Sequence, residues 1–340
     1  MFLTPLSAQE VTDVVAKQNG DLVEVTYTLH SQADIIVLLS QDGGNSYSQE
    51  LQSLTGDFGK NVNPGRRKIV WNLKQEKIRK DIPNARFKIV ARSLGKKKFD
   101  VNGVSFVMIA VDGGTFTMGA TEEQGKDGAE NERPKHNVTL DSYYIGETEV
   151  TQELWEAVMG TTVQQQKDKE GRSFSLCGKG ALYPIYYVSW YECQQFIEKL
   201  NYLLSNILMG KQFTLPSEAQ WEFAARGGNK SKKNKYSGSD TAENVAWISS
   251  NSGQSVHIVK TKLPNELEIY DMSGNVWEWC QDRYGSYKSF TQKNPVGDSG
   301  YEYVYRGGSW NNDQNSCRTT CRVHDPGRRS NRIGFRLVLQ

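Results

Sequence analysis

The residues best suited to chemistry lie beyond position 270. Asp271-Met272-Ser273-Gly274-Asn275-Val276-Trp277-Glu278-Trp279 places two carboxylates on either side of a glycine. The glycine lets the backbone turn sharply, and the carbonyls of Gly274 and Val276 could join Asp271 and Glu278 around a hard cation. Oxygen-only ligation on a flexible loop suits Ca²⁺ better than Zn²⁺. The same spacing also reads as a turn carrying two solvated acids. Further on come Arg306-Gly307-Gly308-Ser309-Trp310, Cys317 and Gly334-Phe335-Arg336. Gly-Gly permits close backbone approach, and Ser309 can donate to a ligand. Cys317 could be a nucleophile, a soft-metal ligand or half of a disulfide.

The five cysteines, Cys177, Cys193, Cys280, Cys317 and Cys321, contain no C-x-x-C pair, which argues against a zinc ribbon or a thioredoxin-type site. If four of them pair, one thiol is left over. The histidines His30, His136, His257 and His324 are scattered and read as surface or packing residues. There is no H-E-x-x-H, and no G-x-S-x-G follows an apolar strand, so a zinc peptidase or an α/β-hydrolase is not expected.

These residues need elements to hold them. From Val101 onward strong helical periods are few. Ser189 with Glu192 forms a capping box that predicts a helix through Phe196, Leu200, Leu203 and Leu204. Ser217 with Gln220 predicts a second, burying Trp221, Ala224 and Ala225 and stopping at Gly227-Gly228. A third is expected over Gln152 to Met159. The remainder is rich in Gly and aromatic residues, so its loops need ions, disulfides or buried side-chain hydrogen bonds to fix them.

Residues 10–93 have a different pattern. Val23, Val25, Tyr27 and Leu29 alternate with polar residues, as do Ile69, Trp71 and Leu73, and Phe87, Ile89 and Ala91. Ile35-Ile36-Val37-Leu38-Leu39 reads as a strand buried on both faces and ends at the turn signal Asp42-Gly43-Gly44. A small all-β, immunoglobulin-like sandwich is expected over residues 1–95, as a spacer or docking domain. The basic run around Lys96-Lys97-Lys98 reads as a linker over 96–103, with the second domain at 104–340.

Composition sets the outer bounds. Apolar residues make up 37% of the 340, with a further 31 Gly, as in a globular chain with a sizeable core. Lys+Arg 41 against Asp+Glu 39 leaves a net charge of +2, which argues against a dedicated nucleic-acid binder. No apolar run approaches the roughly 18 residues of a membrane-spanning helix. Leu6-Ser7-Ala8-Gln9 resembles the small-residue end of a secretory leader. With the cysteines it suggests an exported protein, secreted or in the periplasm or cell envelope, whose leader is incomplete at the given N-terminus.

A series of motifs resembles the formylglycine-generating enzyme (sulfatase-modifying factor) family in that family's order. It begins with Val111-Asp112-Gly113-Gly114-Thr115-Phe116-Thr117-Met118-Gly119, Glu149-Val150-Thr151 and Val188-Ser189-Trp190. It continues through Leu215-Pro216-Ser217-Glu218-Ala219-Gln220-Trp221-Glu222-Phe223-Ala224-Ala225-Arg226-Gly227-Gly228 to the Gly274–Trp279, Arg306–Trp310 and Gly334–Arg336 motifs. The resemblance covers about residues 104–340 and implies an α+β, C-type-lectin-like fold with little regular secondary structure. It implies nothing about residues 10–93.

The family's aerobic enzymes oxidise a peptidyl cysteine in a sulfatase to formylglycine with O₂ and copper held by two cysteines. Here the resemblance places Asn312 and Cys317 at those positions. An amide is no substitute for a thiolate as a Cu(I) ligand. The implied function is therefore a binding or structural member with a peptide or protein partner, such as a sulfatase segment or an envelope protein. The alternative is an oxidoreductase converting a sulfatase-type cysteine or another thiol through Cys317, with copper as its cofactor. Trp277 and Ser309 match positions lining the family's active groove. One implied calcium site maps to Asp271, Gly274, Val276 and Glu278. Another maps to Asn244 and Val245, with Asn251 as a substitute ligand. The resemblance also implies a Cys193–Cys321 disulfide and favours a Cys280–Cys317 bridge over Cys280 as a replacement thiol, leaving Cys177 free.

Overall fold

The structure is a computed structural model that describes the chain except residues 1–10, 30–32, 48, 64, 77–83, 94, 172–174 and 209, and the side chains at 49–50, 60–61 and 92–93. The leader-like Leu6–Gln9 and His30 lie outside the described residues. The chain divides into two compact units, Met1–Leu94 and Gly95–Gln340.

In the first unit the strands are β1 (Val11–Asn19), β2 (Leu22–Leu29), β3 (Ala33–Ser40), β4 (Gln49–Glu50), β5 (Leu54–Gly56), β6 (Gly59–Val62), β7 (Gly65–Asn72) and β8 (Arg86–Ser93). They form an antiparallel sheet in the order β1-β2-β7-β5 and another in the order β4-β3-β6, with β8 also paired to β3. Val23, Val25, Tyr27 and Leu29 from the first sheet meet Ile35, Val37 and Leu39 from the second in one core. The run Ile35–Leu39 is not buried on both faces, because Ile36 and Leu38 are only partly covered while their neighbours are buried. An antiparallel sheet needs only one face in the core.

The second unit begins with β9 (Lys96–Val101), β10 (Val104–Val111), β11 (Gly114–Met118), β12 (His136–Leu140), β13 (Tyr143–Gly146) and β14 (Phe213–Thr214). It continues with β15 (Trp277–Arg283), β16 (Gln292–Lys293), β17 (Tyr303–Arg306), β18 (Arg322–Asp325), β19 (Ile333–Gly334) and β20 (Val338–Leu339). Three sheets result, in the orders β14-β20-β13-β10-β9, β11-β12-β16 and β18-β17-β15-β19. The 96–103 segment is therefore no linker. Residues Lys96–Val101 pair with β10 from Val104↔Val101 to Ile109↔Lys96, and Phe99 and Val101 point into the core. The three lysines run consecutively ahead of Phe99, exposed or partly exposed, and only Asp100 alternates with the two apolar residues, which made the run look like a connection.

The helices are α1 (Gln152–Met159), α2 (Val163–Asp168), α3 (Trp190–Leu203), α4 (Ser205–Leu208), α5 (Glu218–Ala225) and α6 (Ala242–Val245). The capping signals act as the sequence suggests. Ser189 Oγ accepts from Glu192 N at 3.2 Å while Ser189 N donates to Glu192 Oε2 at 3.1 Å. Ser217 and Gln220 make the reciprocal pair at 3.1 and 2.9 Å. Gly160, at φ 73°, closes α1 in the left-handed conformation that costs glycine least. Every residue of α5 is buried, so this short helix is an internal strut.

Buried ion pairs hold the irregular parts. Arg306 reaches Glu218 at 2.8 Å and Glu222 at 2.7 Å; Arg322 grips Glu218 with Oε2 at 2.6 Å; Arg318 meets Glu132 at 2.6 Å. Each guanidinium also donates to backbone or hydroxyl oxygens of the loops beside it. Buried pairs of this kind persist only when their remaining donors and lone pairs are satisfied.

Candidate functional site

Trp277 opens β15, opposite Ile333 of β19. Ser309 follows Gly307 and Gly308, both at positive φ. A Cβ on Gly308 would fall 2.3 Å from Cys317 Sγ, so the turn passes over that thiol only because no side chain is there. Beyond the turn the chain presents Asn312. Its Oδ1 accepts from Trp277 Nε1 at 2.9 Å and lies 2.5 Å from Ser309 Oγ. Ser309 Oγ also sits 3.0 Å from Asn311 Oδ1. Trp310 Nε1 donates to the carbonyl of Asn331 at 3.2 Å, and Trp277 meets Tyr305 edge to face. The structure thus brings Trp277, Ser309 and Asn312 together through one amide oxygen.

Cys317 is sealed behind this cluster. It is fully buried, packed among Tyr236, Ala242, Val245, Ala246 and Ile248. Ser273 Oγ donates to its carbonyl at 2.8 Å. Burial pushes its thiol far above the ordinary range, with Cys321 and Asp313 adding to the rise. A thiol held protonated in apolar surroundings is inert as a nucleophile.

Asp271 and Glu278 are both buried, so neither is a solvated turn acid. Glu278 faces Arg336, whose Nε and Nη2 donate to its two oxygens at 2.6 Å each, and Trp221 Nε1 donates to Oε2 at 2.6 Å. Asp271 Oδ2 accepts from Lys260 N at 2.6 Å. A third acid, Glu149, belongs to the same region. It is 2% exposed, and its Oε1 has no hydrogen-bond partner. Burial, then Asp271 and Glu278, push Glu149 well above the usual carboxylate range, and burial pushes Asp271 up to about 6. Three carboxylates against Arg336, one with an orphaned oxygen, fit a divalent cation in charge. Among the described residues no three His, Cys, Asp or Glu side chains are disposed around one metal position, so backbone carbonyls would have to complete the shell. Glu149 and Asp271 are better placed than Glu278, whose oxygens Arg336 already engages.

The other implied calcium set contains no carboxylate, and Asn251 Nδ2 donates to the carbonyl of Ala246, next to Val245, at 3.0 Å. Asn244 is exposed, and its carbonyl accepts from Leu263 N at 3.1 Å. Asn251 Oδ1 accepts from Ile248 N at 2.8 Å, and Val245 packs against Cys317.

The model of the sulfatase-modifying factor enzyme 1-like domain matches residues 99–340. The chain belongs to this family. It is 26% identical to the chaperone protein LppX of Paenibacillus barcinonensis over 71% of this chain and 91% of that protein. It is 30% identical to the serine/threonine-protein kinase Pkn1 of Chlamydia trachomatis over 67% of this chain, but spans only 37% of the kinase's length. Further relatives bear names of opposite kinds, the formylglycine-generating enzyme of Streptomyces coelicolor at 25% identity over 67% of this chain and 87% of that enzyme, and an inactive Cα-formylglycine-generating enzyme 2 of Bos taurus at 25% over 69% and 88%. Among solved structures, Treponema denticola variable protein 1 superposes with a TM-score of 0.61 and 32% identity, over 72% of this chain and 98% of its own.

The cysteines of this sulfatase-modifying-factor-like domain correct the resemblance. All five are free thiols, so neither the Cys193–Cys321 nor the Cys280–Cys317 bridge is made. Cys280 lies in the core around Trp221 and Met272, whereas Cys317 lies in a separate cluster with Tyr236 and Ile248. Cys193 is buried on α3 and Cys321 is partly buried beside Arg318, packed against the same core as Cys193. Sequence reasoning missed the acid Glu149, quoted only as part of a motif, and the buried arginine network. Arg306 and Arg336 were visible in their motifs, but their partners are 58 to 88 positions away.

Proposed function

We propose that the second unit is a binding domain that retains the family's fold and its Trp277–Ser309–Asn312 cluster without copper-oxidase chemistry. The observation that carries this reading is Asn312 Oδ1, an oxygen acceptor engaged by Trp277 and Ser309 where the resemblance calls for a thiolate. The buried, protonated Cys317 supports it, because a single inert thiol does not make a two-coordinate cuprous site. The presence of a chaperone and an inactive enzyme among the relatives is consistent with a non-catalytic role. The partner would be a peptide or protein segment. Among the described residues no helix is long and apolar enough to cross a membrane. The leader-like Leu6–Gln9 is what supports reading the chain as exported. The two-sheet first unit suits an immunoglobulin-like spacer or docking role. A structural Ca²⁺ would be held by Glu149 and Asp271 with backbone carbonyls, neutralising their charge.

The test is Cu(I) retention by the full chain against a chromophoric chelator, in wild type and Cys317→Ser, together with an aldehyde assay on a cysteine-containing sulfatase-type peptide. Equal, weak retention and no aldehyde are expected. Tight retention that depends on Cys317, with aldehyde formed, would overturn the reading in favour of the oxidoreductase.

A further inference from the structure

A cleft of about 570 Å³ lies away from the acids described above, between the start of α3 and the turn Pro326–Arg329. Its volume falls within the range of small-ligand sites. The turn is fixed from within, since Asp325 Oδ1 accepts from Gly327 N at 2.9 Å and from Arg328 N at 2.7 Å. Trp190 N donates to Gly327 O at 3.2 Å and ties the turn to the helix. Tyr191 forms one wall with 56% of its surface exposed, its ring edge-on to both Trp190 and Tyr303.

The charges in the cleft do not cancel in function. Glu192 is already spent, accepting from Arg329 Nε at 2.9 Å, Lys169 Nζ at 3.1 Å, Gln166 Nε2 at 3.1 Å and Ser189 N at 3.1 Å. Glu170 is engaged as well. Arg329 commits only its Nε to Glu192 among the hydrogen bonds of the described residues. Arg328 is exposed, and beyond the backbone N–H held by Asp325 its guanidinium makes no hydrogen bond or ion pair among the described residues. Gln195 lies exposed on the opposite side, with an amide that can both donate and accept.

We propose that this cleft binds an acidic peptide segment. A Glu or Asp carboxylate would sit on the guanidinium fork of Arg328, the neighbouring chain would lie against Tyr191, and Gln195 would read a peptide bond. A planar carboxylate matches a guanidinium in two parallel hydrogen bonds, which a lysine cannot reproduce. Gln195, which can donate and accept toward the C=O and N–H of one peptide unit, is the ground on which an extended peptide is preferred to an anionic sugar. The proposal does not depend on the absence of copper chemistry.

The experiment measures binding of a fluorescent hexaglutamate peptide to the full chain by anisotropy, beside hexaglutamine and an oligogalacturonate of similar charge. Hexaglutamate should bind and hexaglutamine should not. Arg328→Ala should weaken binding by about tenfold, the loss of one charge-assisted contact. Arg328→Lys should recover only part of it, and Tyr191→Ala should weaken binding with the unfolding transition unchanged. Equal binding of hexaglutamate and hexaglutamine, or no effect of Arg328→Ala on a variant that melts like wild type, would overturn the proposal. Tighter binding of oligogalacturonate than of hexaglutamate would overturn the peptide assignment.

Discussion

Asn312 receives Trp277 Nε1 and lies beside Ser309 Oγ on the same oxygen. Asn312→Ala leaves both donors without that acceptor in a part-buried cluster, a loss of about 1–3 kcal/mol. Asn312→Asp keeps the oxygen and should lose less, and thermal melts of the two variants check this. Glu149 supplies a second residue-scale test. At a calcium concentration near 100 times the dissociation constant, a site on the folded chain adds about 2.7 kcal/mol of stability. The melting temperature of wild type should rise with Ca²⁺ and fall with EDTA, and Glu149→Gln should abolish that response. A wild-type transition indifferent to both would end the calcium assignment. Glu192 sets an acid limit. Burial opposes its ionisation, yet Arg329, the Ser189 N–H, Gln166 and Lys169 outweigh it and hold the carboxyl at about 2, against an ordinary 4.5. The folded state therefore binds the proton more weakly than the unfolded chain. The resulting stability is present above about pH 4.5 and is lost as pH falls toward 2. Urea unfolding should show the advantage of wild type over Glu192→Gln at pH 7 shrinking by pH 3.

At the scale of elements, α5 concentrates the most structure in the fewest residues. It is buried throughout, and Glu218 and Glu222 on it hold Arg306 and Arg322. Ser217→Ala removes its N-cap and should cost about 1 kcal/mol. Arg306→Met leaves buried carboxylates short of a partner and should cost about 3–5 kcal/mol, read as a drop in the urea midpoint. The caps of α3 and α5 were legible because their signals lie within four residues of each other. The first strand of the second unit was not legible, because three lysines masked an alternation that only Phe99 and Val101 carry. The sharing of Arg306 between Glu218 and Glu222 was illegible for a different reason. Nothing local in a sequence says which acid a distant guanidinium will find.

For the whole molecule, the division after Leu94 makes a direct test. A chain of residues 95–340 should keep the unfolding transition of the second unit. A chain beginning at Val104 would lose β9, its pairing with β10 and the buried Phe99 and Val101, and should melt several degrees lower. Equal transitions for the two would place the start of the second unit after β9. The motif series made the family and most of the Trp277–Ser309 region readable. The surroundings of the buried acids and thiols were not readable with the same fidelity, because matching positions do not disclose which neighbours satisfy them. Arg306, Arg318, Arg322 and Arg336 all follow in the chain the acids they neutralise, Glu132, Glu218, Glu222 and Glu278. During synthesis on the ribosome those acids emerge before these arginines, and of them only Glu222 has a nearer cation, Arg226 at 3.0 Å four positions on. The second unit's buried pairs are complete only once position 336 has left the exit tunnel, so a nascent chain stalled before Arg306 should be more open to proteases than the released chain.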